Sequence, residues 1–160
     1  MMERVTIVAL GESDEATALR AVLEAMDMET RLMRVRASQD VSPALSAASQ
    51  SEVVILSAEG GEAGFQLKDA TWIPPAEAFK GVTFSDDAVL ISTAGSVRES
   101  GLVDVMFSAG GHLIAPNGAP DRRIIVPWIA ACLLRADAGL ADAVHGANML
   151  VEPKNRFSYG

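Results

Sequence analysis

Two polar phrases close apolar runs in this chain: Ser57-Ala58-Glu59-Gly60-Gly61 follows Val53 to Leu56, and Ser92-Thr93-Ala94-Gly95-Ser96 follows Ala88 to Ile91. They supply one carboxylate and several hydroxyls. A hydroxyl becomes a nucleophile when a base takes its proton, so one chemistry is a hydrolase using Ser92 or Ser96 with Glu59 or His112 as base. A hydroxyl served by a carboxylate without an imidazole fits the logic of a catalytic triad poorly. The other chemistry is binding: Glu59 accepts hydrogen bonds from a basic or peptide ligand, Gly60 and Gly61 permit a sharp turn, and Ser92 and Thr93 satisfy backbone at a strand end. Ser96 is then the N-cap of the next helix. A third phrase, Asn117-Gly118-Ala119-Pro120-Asp121, follows another apolar run, which puts Asn117 and Asp121 on the same rim, with Asp121 a helix N-cap.

These phrases share a rim only if the runs before them are parallel strands. Val5 to Leu10, Val53 to Ser57, Ala88 to Ser92 and His112 to Ala115 read as buried strands. Arg31 to Arg36 alternates as an edge strand does. Helical spacing recurs over Asp14 to Met28, Arg98 to Ala109 and Asp121 to Ala136, the last with Pro127 inside it. Ser42-Pro43 marks a helix start, so Ala44 to Ser49 is a short helix. Gly64 to Pro75 reads as a hairpin, Pro75 to Lys80 as one helical turn, and the tail as a short helix to Ala147 and an extended piece through Phe157. Alternation of strands and helices implies right-handed crossovers and an α/β fold, a three-layer α/β/α domain with a mostly parallel sheet. The expected strand order is 2-1-3-4-5, with the ligand crevice at the switch between strands 1 and 3.

The chain has 160 residues, 49% of them hydrophobic, which suits one domain over residues 1–160. A net charge of -8 argues against nucleic acid and against an anionic membrane surface as partners. One cysteine, Cys132, makes no internal disulfide and points to a reducing, cytoplasmic setting; on its apolar helix face it reads as a buried, inert thiol. His112 and His145 lack the spacing of paired metal ligands, so no metal is expected, and no other cofactor is expected either. Gly11-Glu12-Ser13 offers a weak alternative, a flavodoxin-like or Rossmann-like domain holding a small anionic ligand at a helix start; neither GxGxxG nor GxxxxGK[ST] is present. Phe65, Trp72, Ile73, Trp128 and Phe157 belong to the core or to a self-association patch, the latter giving a homodimer.

The run Val-Val-Ile-Leu-Ser-Ala-Glu-Gly-Gly from Val53 resembles the strand of caspase-like and CHAT-domain cysteine peptidases that ends in His-Gly. Val-Leu-Ile-Ser-Thr-Ala-Gly-Ser from Val89 resembles their next strand, which ends in the nucleophilic cysteine. Gly101 to Pro116 is similar to their following helix, Gly-rich turn and strand, so the likeness spans about Val53 to Leu134. It implies a caspase-like fold and, in the family, an imidazole-assisted thiolate with a backbone oxyanion hole. Here the histidine position is Glu59 and the cysteine position is Ala94 or Gly95, neither of which carries a nucleophilic atom. The resemblance therefore implies a pseudo-peptidase, a peptide- or protein-binding or regulatory module whose rim comprises Glu59 to Gly61, Ser92 to Ser96 and Asn117 to Asp121.

Overall fold

The computed structural model describes residues 3–11 and 14–160. Strands β1 (Arg4–Leu10), β3 (Val53–Ser57) and β7 (Val89–Ser92) are buried along nearly their whole length. That is the burial expected of strands covered on both faces. With β2 (Glu29–Val35), β8 (His112–Pro116) and β9 (Phe157–Tyr159) they form a six-stranded sheet in the order β2-β1-β3-β7-β8-β9. All neighbours are parallel except β8 and β9. The expected order 2-1-3-4-5 holds for the parallel strands, and β9 is added antiparallel beyond them. The edge strand read over Arg31 to Arg36 is β2, which begins two residues earlier and ends at Val35.

The helices divide by face, and the alternation of each strand shows which. Val8 and Leu10 point into a core shared with α2 (Val41–Ala48), α3 (Pro75–Ala78) and α4 (Leu102–Ala109). Ile7 and Ala9 point into the opposite core, shared with α1 (Asp14–Ala25), α5 (Arg122–Leu134) and α6 (Leu140–Asn148). The fold is α/β, with helices packed on both faces of a mostly parallel sheet. Between β3 and α3 the chain makes a separate antiparallel sheet of β4 (Glu59–Gly61), β5 (Gly64–Gln66) and β6 (Trp72–Ile73), the expected hairpin with one further strand. Among the described residues no helix is long and apolar enough to cross a membrane.

Three local expectations are corrected. The helix read from Ala44 begins at Val41, after a 3-10 turn at Ser38–Asp40, so Pro43 is its third residue and Ser42 is no N-cap. A proline is tolerated there because the first-turn N–H groups have no intrahelical acceptor. The helix read over Arg98 to Ala109 is split: a 3-10 turn at Arg98–Ser100 ends at Gly101, whose φ of 91° takes the chain out of helical geometry before α4 starts. Ser96 is consequently no N-cap; its backbone is left-handed (φ 62°) and its N–H donates to Gly118 O. Of the two readings left open for the large apolar residues, Phe65, Ile73, Trp128 and Phe157 take the core one, Trp128 and Phe157 stacking 3.9 Å apart, and Trp72 alone of the five is substantially exposed. Cys132 is buried, and burial pushes its thiol up to about 12, the inert state expected of it.

Candidate functional site

Each parallel strand ends on one rim of the sheet, so the residues just beyond β3, β7 and β8 are neighbours there. Glycine permits the contact between the first two. A Cβ on Gly60 would lie 2.4 Å from Gly95 O and 2.8 Å from Ala94 Cβ. The third phrase closes over the second, since a Cβ on Gly95 would lie 2.9 Å from Ala119 Cα. The three phrases singled out in the sequence thus meet, and they meet tightly. Ala94 and Gly95 are buried beneath Gly60 and Ala119.

This packing decides which side chains can meet a ligand. Ser92 and Thr93 are fully buried. Ser92 Oγ accepts from the Ala94 N–H at 3.3 Å, and Thr93 Oγ1 accepts from the Ala58 N–H at 3.1 Å. Both hydroxyls serve the strand ends, so neither is a ligand contact or an accessible nucleophile in this conformation. His112 begins β8 and so lies at the opposite end of the sheet from Glu59. Its ring stacks on Tyr159, with Nδ1 2.9 Å from the phenol oxygen. No base for Ser92 or Ser96 is therefore built from His112. Asn117 is engaged as well: its N–H donates to Arg156 O, and Ser158 Oγ donates to its Oδ1.

Asp121 caps α5 as expected, accepting from Arg123 N–H at 3.0 Å and from the Arg123 guanidinium at 2.7 Å. The side-chain bond first, and then the backbone bond, hold its carboxyl down at about 2 against an ordinary 3.8. A carboxyl depressed by folding contributes stability that is present above its unfolded value and is lost as pH falls through the folded one. Asp121→Asn is therefore expected to shrink the loss of stability between about pH 4 and pH 2 measured in urea titrations.

Glu59 faces outward, 64% exposed, with its carboxylate 3.5 Å from Arg122 Nε. Arg122 organises the rim. Its guanidinium donates to Thr93 O at 2.7 Å, Ala58 O at 3.2 Å and Glu15 Oε2 at 2.7 Å. Glu15, in the first turn of α1, also accepts from Ser57 Oγ at 2.8 Å. One cation thus ties the ends of β3 and β7 to α1, and its charge is matched by a carboxylate only 10% exposed. Sequence reading missed both partners, although a signal existed: Arg122 occupies the first turn of a helix, where a cation opposes the helix dipole.

Glu59 stands between two clefts. One, of about 280 Å³, runs from Gly11 to Lys68 and Gln66; the other, of about 400 Å³, lies between α1 and α5 beside Asp14 and Arg123. The alternative anion site at Gly11-Glu12-Ser13 retains Gly11 on the first cleft, while Glu12 and Ser13 lie outside the described residues. Asp14 and Glu15 in the first turn of α1 occupy the place where an anionic ligand would profit from the dipole. No protein-family model matches this chain, and no curated protein matches it.

Proposed function

We propose that this chain is a caspase-like, CHAT-like α/β domain without peptidase chemistry, a module that binds a peptide or protein at the rim around Glu59. The observation that carries the reading is the contrast at that rim: Glu59 projects into solvent, whereas the two candidate cysteine positions are a buried Ala94-Gly95 step covered by Gly60. The committed state of the cations adds the sign of the ligand. Arg122 is shared between Glu15 at 2.7 Å and Glu59 at 3.5 Å and Arg123 is matched by Asp121, so Glu59, exposed and held only by a long ion pair, and Asp14 are the carboxylates offered to a basic segment.

A random peptide library passed over the immobilised chain, with mass spectrometry of both retained and cleaved peptides, tests this. Retention of Lys- and Arg-rich peptides without cleavage is expected. Glu59→Lys should weaken their retention by about tenfold, because it replaces an attraction with a repulsion, while the melting temperature stays within a degree or two. Cleavage by the native chain, or retention indifferent to Glu59→Lys, overturns the proposal. The hydrolase alternative is favoured by one observation, the strained left-handed backbone of Ser96 on the rim. Labelling by a serine-reactive probe that is lost in Ser96→Ala would establish that alternative instead.

A further inference from the structure

The small antiparallel sheet beside the rim has one face in the core and one in solvent. Opposed residues of paired strands share a face, so Gly60, Phe65 and Ile73 make one row across β4, β5 and β6, and Glu59, Gln66 and Trp72 make the other. Phe65 and Ile73 are buried, which turns the second row outward. On that outward face Trp72 does not stand upright. Its ring atoms Cη2 and Cζ3 lie 3.1 and 3.2 Å from where a Cβ on Gly61 would be, although β5 separates β6 from β4. The indole therefore reaches across β5 to the opposed pair Gly61 and Gly64, where no side chain lifts it from the backbone. Trp72 is 43% exposed, so the surface of the ring away from the sheet meets solvent.

The far end of the indole lies among acids. Gly61, beneath it, stands between Glu59 and Glu62, both exposed. Same-face neighbours on a strand are roughly 7 Å apart, which puts Glu59 and the ring within the span of one long side chain. Two cations are near this row. Lys68 belongs to the turn between β5 and β6, at the Gln66 end, and the ring slants from that end towards Gly61 and away from it. Arg122 meets Glu59 from α5 at 3.5 Å and leaves its carboxylate exposed. An open aromatic face with a carboxylate beside it attracts a cation, and a planar guanidinium stacks there better than a compact, strongly hydrated ammonium. We infer that the outward face of β4, β5 and β6 holds an arginine of a basic peptide, its guanidinium stacked on Trp72 and turned towards the Glu59 carboxylate. The inference rests on the binding site proposed around Glu59; it adds the side chain that the site reads and a second residue that reads it.

Titration of the intact chain with a blocked Gly-Arg-Gly-Arg-Gly peptide, and with its lysine and citrulline counterparts, tests the inference. Calorimetry reads the affinity in low salt, and tryptophan emission reads the contact. The arginine peptide is expected to bind more tightly than the lysine peptide, and more tightly still than the citrulline peptide, which keeps the shape of arginine and loses its charge. It should also shift the tryptophan emission. Trp72→Leu is expected to abolish that shift, because Trp128 is buried, and to raise the dissociation constant of the arginine peptide about three- to fivefold. The preference for arginine over lysine should disappear in the same variant, a change that loss of apolar area alone would not produce. Thermal melts establish that the variants are folded. Arginine and lysine peptides bound equally by the native chain, or an arginine peptide indifferent to Trp72→Leu, overturns the inference. If Glu59→Lys still weakens the arginine peptide in that case, the binding site around Glu59 stands without Trp72. An arginine peptide that does not bind, or that is indifferent to both substitutions, overturns the site and the inference together.

Discussion

Gly60→Ala is expected to destabilise the protein by about 3 kcal/mol, the upper part of the range for overpacking a filled site. The added methyl has nowhere to go. It would stand 2.4 Å from both Gly95 O and Val97 Cγ2 and 2.8 Å from Ala94 Cβ. The first neighbour is backbone on a segment pinned by Arg122 and by the Ser96 N–H to Gly118 O bond, so relief requires parting the hairpin from β7. For a chain of this size such a loss lowers the melting temperature by roughly 10 °C. Gly118→Ala is the control, because a Cβ there meets nothing within 4 Å. Differential scanning calorimetry of the two variants reads the difference; a Gly60→Ala protein that melts with the native one would mean that the phrases ending β3 and β7 are not in contact.

Arg122→Met is expected to cost about 2–3 kcal/mol, between a surface ion pair and a fully buried one. The variant keeps most of the aliphatic stem, so the loss belongs to the guanidinium. Removing it strands Thr93 O, leaves Ala58 O with only the long 3.4 Å bond from the Thr93 hydroxyl, and leaves Glu15 with Ser57 and no cation. The Arg122 side chain is 34% exposed, which admits water and keeps the cost below that of a sealed pair. A double-mutant cycle with Glu15→Gln should return a coupling of about 1–2 kcal/mol. The exposed pair Arg20–Glu24 sets the scale: with both side chains about half exposed, it should couple by only about 0.3–0.5 kcal/mol. Equal couplings in urea titrations would remove Arg122 from its place as organiser of the rim.

Both variants bear on function through the same geometry. Glu59 leaves β3 one residue after Ala58, whose carbonyl Arg122 holds, and one residue before Gly60, which is wedged against Ala94 and Gly95. The direction of the exposed carboxylate is therefore set from both sides, although its own ion pair with Arg122 is long and open to water. If the proposed peptide site is right, losing either support should loosen retention without abolishing it, whereas Glu59→Lys acts on the proposed contact itself.

The sequence by itself determined the five parallel strands and the order in which strands and helices alternate, though not the breaks within them, such as Gly101 before α4. Apolar runs such as Val53–Ser57 and the helical spacing of Leu19 and Leu23 report burial and period, which are local properties, and the handedness of crossovers then restricts how parallel strands can be arranged. The convergence of three polar phrases on one rim followed from the same rule, since each closes a strand of one direction. Tertiary structure alone decided what that rim presents. Whether Ser92 and Thr93 face solvent depends on Gly60 and Ala119 closing over the next residues, and the pairing of Arg122 with Glu15 joins positions 107 residues apart. Neither a period of 3.6 nor one of 2 carries information over that separation: they say which face a side chain takes, and not which side chain from elsewhere in the chain will meet it there.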